Sequence, residues 1–398
     1  MIKKDHLYLL LGFLWNLDYL LGVFNIGIQG IFVLYAFICL LLFLLNDDLR
    51  ARCHPTKGLL MILVFLIPVL LVPLHPFSEY AGYKSFFFLV KCGTIAFLPL
   101  LLKERILLFV KGYWIACMVF LSLVFLRSLP MITEVSVNNR IEIGHLNPIW
   151  ISRLVMEGLL LTIIVFRKSR LALIYFLGSL IVFYVSGSKG PFVSGLLILA
   201  FYFIRSRKIS FKYLIPAFMV TVMLLGAGYR TLTTNTYIQQ RFLRLVPENA
   251  SKKIVEKSRI VVWPKSVEKI SETPFRRLLT GYGFGNYSEF YPGKPIFRFY
   301  PHNLILELLI ECGLLYLFLF AVFIYAFHYK NMFSWLFWYS LLNAMFSGDI
   351  LLNERLFLYL SLMYVYQLYP TGEIAEPAGP EDTKNPDHDQ TKDSLSYL

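Results

Sequence analysis

Residues 300–320 read YPHNLILELLIECGLLYLFLF, an apolar run that opens with His302 and Asn303 and carries Glu307 and Glu311. A neutral imidazole titrates close to working pH and can take a proton from an attacking hydroxyl. Ionisable groups within a run long enough to cross a bilayer are costly, so each needs a function or a partner. The same holds for Lys91, for Arg153 and Glu157, for Lys189 in the turn SGSKGP, and for Asp349, Glu354 and Arg355. Plainer readings stand beside the functional ones. Arg153 and Glu157, spaced i, i+4, can form a structural ion pair on one helix face. Lys91 can snorkel to the interface, and Lys189 can be a solvated turn residue. Asn303 and Glu307 resemble a helix start, with Asn as the cap and the acid near the positive dipole end. His302 and Glu311 remain, and Glu311, two turns below Asn303, asks for a buried cation.

The elements that must position these groups are apolar. The 398-residue chain is 57% hydrophobic, 17% aromatic and 16% charged, with a mean hydropathy of +0.62. A soluble domain could not hide that much apolar surface, so hydrocarbon is the expected solvent for much of it. Runs of spanning length, about 17 to 25 residues, are placed at 7–24, 29–45, 59–75, 85–102, 112–127, 149–166, 171–186, 191–204, 213–228, 303–327, 332–348 and 356–369. The expected fold is therefore an all-α integral membrane protein of about twelve transmembrane helices. With both termini inside, 16 Lys and Arg fall on the cytoplasmic side, against five (Lys84, Arg127, Arg140, Lys189 and Arg355) in short outer loops. That asymmetry follows the positive-inside rule. It also accounts for much of the net charge of +13, so no nucleic-acid partner is inferred. Cys39, Cys53, Cys92, Cys117 and Cys312 have no paired spacing and imply neither a disulfide framework nor a zinc site. The first apolar run lacks the small-residue site of a cleavable signal peptide.

The expected organisation has helices one to nine in 1–228, a large external loop at 229–302, helices ten to twelve in 303–370, and a disordered cytoplasmic tail at 371–398. The external loop carries 13 Lys and Arg against five acids, with short amphipathic stretches such as TYIQQRFLRLV and SRIVVWPKSVEKI. A basic loop against a membrane suits an anionic ligand held near the bilayer surface. Arginine forks match phosphate oxygens, and clustered cations can neutralise a diphosphate leaving group directly. No carboxylates have the spacing of a magnesium or manganese cage, and no cofactor is implied. A basic diphosphate site and a nearby neutral His describe glycosyl transfer from a lipid-linked sugar to a hydroxyl. The run GYGFGNYSEF (281–290) loosely matches a dinucleotide fingerprint but follows no strand, and reads better as a glycine-rich bend.

The stretch SRIVVWPKSVEKISETPFRRLLTGYGFGNYSEF followed by PHNLILELLIECG resembles the signature of the O-antigen ligase and polymerase superfamily. The matching positions are Arg259, Trp263, Pro274, Gly281, Gly283, Gly285, His302, Asn303, Glu307, Glu311 and Gly313. SGSKGP resembles the family's Ser-Arg-Gly turn with Lys189 in place of Arg, and GHLNP (144–148) resembles its Asn-Pro helix entry. The resemblance implies a metal-independent, inverting glycosyltransferase in the cytoplasmic (inner) membrane, with its active site on the external or periplasmic face. Its donor would be an oligosaccharide on undecaprenyl diphosphate, and its acceptor a glycan or lipid A–core. By carry-over, Arg259 would hold the diphosphate and His302 would act at the acceptor hydroxyl. Lys189 is a substrate-binding candidate whose point charge replaces a bidentate fork. Arg140, Arg153 and Glu311 complete the candidate set. Polymerase and ligase are both open, with the forms of PHNLILELLIECG and SGSKGP favouring a repeat-unit polymerase. A chain-length regulator or flippase would be a partner. A polysaccharide transporter is the reading from another class, but the chain lacks repeat symmetry and gathers its charge at one face rather than the midplane. A membrane scaffold would leave the His302 constellation without purpose.

The topology predicts that reporter fusions after residues 208 and 330 read cytoplasmic, and that fusions within 229–302 read external. A cytoplasmic signal from 229–302 would contradict it.

Overall fold

The computed structural model describes residues 4–26, 35, 55–72, 78–102, 105–130, 143–144, 146–186, 188–206, 259–290, 299–346 and 349–369. These residues are mostly helical, with no strand among them and one isolated bridge between Ile143 and Leu146. In order come α1 (Lys4–Leu14), α2 (Leu17–Gly22), α3 (Pro55–Leu71), α4 (Glu79–Phe87), α5 (Thr94–Leu102), α6 (Ile106–Ser128), α7 (Pro148–Leu160), α8 (Ser169–Ser186) and α9 (Lys189–Arg205). Then follow α10 (Arg259–Ser271), α11 (Phe275–Thr280), α12 (Tyr287–Phe290), α13 (Leu304–Phe327), α14 (Phe333–Phe346) and α15 (Glu354–Leu368).

Four described segments are long and apolar enough to cross a membrane: Glu79–Leu98, Ile106–Ser128, Pro148–Val165 and Leu304–Phe327. Of the other expected spans, that at 213–228 and, Tyr35 apart, that at 29–45 lie outside the described residues, and the rest correspond to shorter helices. The 371–398 tail, residues 229–258 and the stretch TYIQQRFLRLV also lie outside them.

Local chemistry explains the helix ends that matter. Asn147 caps α7, its side chain accepting from the Ile149 amide at 2.9 Å, and Pro148 follows at the first helical position. There a missing N–H costs nothing and the fixed φ suits the helix. A π turn at Phe88–Gly93 joins α4 to α5, and another at Leu161–Val165 extends α7. Helices α1 and α6 approach closely where Gly12 faces the Phe109 carbonyl and Gly112 faces that of Leu9. Small residues let membrane helices pack backbone to backbone in this way.

Three sequence placements change. Lys84, expected in an outer loop, lies inside α4 and is fully buried. Charges mark span ends in a sequence, but a charge paired inside the protein no longer marks one. Lys189, expected in a turn, opens α9. Arg355, also expected in an outer turn, sits buried in the first turn of α15.

Helix α13 breaks at Gly313, where φ is 78° and ψ 178°. A break strands carbonyls that the next turn would otherwise satisfy. The Ile310 carbonyl accepts from the Tyr282 amide at 2.8 Å, and that of Glu311 from the Gly283 amide at 2.9 Å. The glycine-rich bend is thus docked into the break. Gly281 has φ 77°, and a side chain there would run into the Glu311 carbonyl; one at Gly313 would run into that of Leu279. A small apolar cluster of Val262, Tyr287, Phe290 and Ile310 ties α10 and α12 to α13 beside this dock.

Left-handed backbone costs a non-glycine residue about 1–2 kcal/mol before any clash. Gly313→Ala should therefore lower the melting midpoint of the detergent-purified protein. Gly190→Ala, where an added Cβ meets nothing within 4 Å, should leave it unchanged. Equal midpoints for both variants would contradict the dock.

Candidate functional site

His302 stands at the mouth of α13 in a strained conformation, with φ 57°. Residues held in the left-handed region without glycine persist only where their surroundings over-determine them, and such positions cluster at functional sites. Here the surroundings are explicit. The Trp263 indole donates to the Pro301 carbonyl at 2.8 Å, fixing the residue before the knuckle to α10. The Tyr300 ring meets the imidazole edge to face at 4.6 Å. After the knuckle, the Asn303 side chain caps α13 by accepting from the Leu306 amide at 3.0 Å, while its Nδ2 donates to the Met345 carbonyl at 3.3 Å. His302 itself is half-buried. Helix α10 begins at Arg259, one turn before Trp263, so the knuckle and the start of α10 share one neighbourhood. From Arg259 on, the stretch SRIVVWPKSVEKI forms the helix expected of it.

Below the knuckle lies a fully buried ion cluster. Lys84 Nζ is 2.5 Å from Glu307 Oε1 and 2.6 Å from Glu311 Oε2. Glu311 also accepts from the Gly285 amide at 2.9 Å, and Glu307 from the Ile350 amide at 3.1 Å. The Phe284 ring covers the ammonium at 4.8 Å. One lysine thereby joins α4, the glycine bend, α13 and the turn before α15. In that turn Tyr80 hydrogen-bonds the Asp349 carboxylate. Glu311 has the cation its depth asked for. Glu307 does more than favour a helix start.

The second cluster corrects a pairing. Glu157 pairs with Arg355 and accepts from the Tyr113 hydroxyl at 2.5 Å, rather than meeting Arg153 on its own helix. Arg355 also lies over the Tyr19 ring at 5.0 Å. Arg153 donates to the carbonyls of Leu352 at 2.9 Å and Asn343 at 3.1 Å, clamping α7 to the end of α14. Helices at i, i+4 offer exposed pairs worth only tenths of a kcal/mol, whereas a buried guanidinium takes the acceptors that tertiary packing brings. Lys91 lies 3.3 Å from Glu354, so its ammonium is paired with α15 inside the protein.

Of the candidate residues, His302 follows Pro301, which the Trp263 indole ties to α10, the helix that begins at Arg259, and Glu311 lies further along α13. Lys189 opens α9 three residues after Ser186, whose hydroxyl shares a 2.8 Å hydrogen bond with Ser152, the neighbour of Arg153. Arg140 lies outside the described residues. Lys84 was missed as a site residue. A usable signal is that Lys84 stands seven residues before Lys91, an α-helical spacing that extends the expected span back to it.

Residues 158–321 match the family described as O-antigen ligase. This bears out the resemblance to the O-antigen ligase and polymerase superfamily, and every motif position from Arg259 to Gly313 falls within the match. No curated protein matches the chain.

Removing one partner of a buried ion pair typically costs about 3–5 kcal/mol. Lys84→Met should lower thermal stability by an amount of that order, and Lys265→Met on the exposed face of α10 should not. An unchanged midpoint for Lys84→Met would contradict the cluster's role.

Proposed function

We propose that the chain, which matches the O-antigen ligase family over residues 158–321, is a multi-pass glycosyltransferase of the cytoplasmic membrane that joins undecaprenyl-diphosphate-linked repeat units at the outer face. The observation that carries this reading is the His302 knuckle, strained, half-buried and tied through Trp263 to the helix that Arg259 opens. In the proposed step the acceptor hydroxyl oxygen attacks the anomeric carbon from the face opposite the leaving group. The bond from that carbon to the diphosphate breaks, and the diphosphate leaves with its electron pair. His302 takes the hydroxyl proton as the new glycosidic bond forms, and the anomeric centre inverts. Arg259 neutralises the diphosphate, with Lys189 and Arg140 as further cationic contacts; direct side-chain cations do this without a metal. In this reading Arg153 and Glu311 hold the site together, as their buried contacts favour, instead of touching substrate. In this reading the 229–302 loop lies outside between two membrane blocks, and the reaction takes place there, where a flippase would deliver the donor and a chain-length regulator would act.

A ligase that moves finished glycan to lipid A–core is the second reading, favoured by the matched family's description. A product ladder of repeat units would identify the polymerase, and glycan on lipid A–core the ligase.

Loss of a general base costs on the order of 10² to 10⁴ in rate. Asparagine tolerates the left-handed backbone that His302 adopts. His302→Asn should therefore keep the fold and lose transfer from a purified lipid-linked donor by that factor, and His302→Gln should not rescue it. Arg259→Ala should also lose activity, while Lys269→Ala on the same helix should retain it. A near wild-type rate for His302→Asn would rule out the base.

A further inference from the structure

Helix α11 has the sequence FRRLLT. Its apolar residues, Phe275, Leu278 and Leu279, stand at i, i+3 and i+4 and share one helix face, with Arg276 and Arg277 off it. Folding uses only part of that face. Leu278 and Leu279 are half-buried, whereas Phe275 is 72% exposed and both arginines are exposed. A single exposed phenylalanine means little on an ordinary protein surface. Its place in the fold gives this one a meaning.

The Leu279 carbonyl lies against Gly313, in the first half of α13, and α13 is long and apolar enough to cross a membrane. The exposed residues that follow Gly313 on α13 are Leu314, Leu315 and Phe318, the last of them 71% exposed. A face of that kind on a spanning helix belongs in lipid. Helix α11 is thus docked beside a lipid-facing surface, and the apolar side chain it leaves uncovered matches that surface in character.

The charge fits the same occupant. Residues 259–280 hold five Lys and Arg against two Glu, and one of those acids, Glu272, is 3.0 Å from Lys269. Arg277 lies 5.7 Å from the Tyr282 ring, which keeps it beside the glycine bend. An aromatic ring flanked by long cationic side chains suits the edge of a bilayer, with the ring among the acyl chains and the guanidinium groups at the level of the phosphates.

We infer that α11 is a membrane foot, in which Phe275 enters the acyl boundary of the bilayer and Arg276 and Arg277 meet the phosphates of anionic phospholipids. The glycine bend follows α11 directly and is bonded to α13 through the amides of Tyr282, Gly283 and Gly285. The foot therefore holds the bend at the lipid surface. It needs no assumption about the reaction.

Nitroxide labels in the full chain, reconstituted in phosphatidylcholine nanodiscs, test this. Cys39→Ala and Cys53→Ala leave only Cys92, Cys117 and Cys312, which are buried and will not label. Into that background go Phe275→Cys, Phe318→Cys as the lipid reference and Glu272→Cys as the water reference, its side chain 57% exposed. Power saturation compares collisions with oxygen, which concentrates among acyl chains, and with a neutral nickel chelate, which stays in water. The label at 275 should favour oxygen, as at 318, while the label at 272 should favour nickel. Adding phosphatidylglycerol should raise the oxygen-to-nickel ratio at 275 further, and Arg276→Gln with Arg277→Gln should abolish the rise. Phe275, Arg276 and Arg277 are all exposed, so these changes leave the packing intact. A label at 275 that favours nickel, or that meets neither probe because another part of the chain covers it, would overturn the foot. No response to phosphatidylglycerol, or one that survives loss of both arginines, would overturn their contact with lipid phosphates. The nanodiscs hold no lipid-linked donor, so a positive result belongs to the bilayer and not to a substrate.

Discussion

An ammonium ion taken wholly out of water needs acceptors on several sides, and Lys84 finds them in two glutamates on another helix. Neither carboxylate could stay charged at that depth alone, and the lysine could not either. Their mutual need sets the spacing of α4 and α13. It also fixes what can sit between them, because Glu311 has an oxygen that accepts from the Gly285 backbone as well.

The rest of the site follows from that contact. The glycine bend must lie flat against α13 to reach Glu311, and only glycines can take the positive φ and close approach that this demands. The helix in turn must break at Gly313 so that its freed carbonyls can receive the bend's amides. Glu307 extends the same network to the turn before α15 by accepting from Ile350, and Arg153 closes it by holding Leu352 and Asn343. Above this frame, Trp263 and Asn303 pin the backbone on either side of His302, whose strained knuckle the frame can therefore sustain. The charged groups that a bilayer would reject thus serve mainly as fasteners, with the imidazole as the chemical group they present.

Much of this was legible in the sequence where the signal is local. Asn303 as a cap, the helix from SRIVVWPKSVEKI, the Asn-Pro entry to α7 and the apolar helices each depend on neighbours within a turn or two. Glu311 could be read as needing a cation because its depth along one helix is a local quantity. Its partner could not be read, since Lys84 lies 227 residues away and nothing in a single sequence says which helices adjoin. Glu157 illustrates the same limit from the other side. The nearest cation on its own helix was Arg153, yet Arg355, 198 residues distant, takes it. The glycines announced a bend, but that the bend plugs a broken helix depends on Gly313 and on packing that appears only once α11 and α13 meet.

Lys84 and Glu311 act as one unit that holds the bend, and through it the His302 site. A double-mutant cycle of Lys84→Met and Glu311→Gln, read in melting midpoint and in transfer from a lipid-linked donor, tests it most directly. Residues in one buried network show coupling of about 0.5–3 kcal/mol, whereas independent sites add. The double variant should be more stable and more active than the sum of the two single losses allows. Strictly additive losses in both readouts would contradict it.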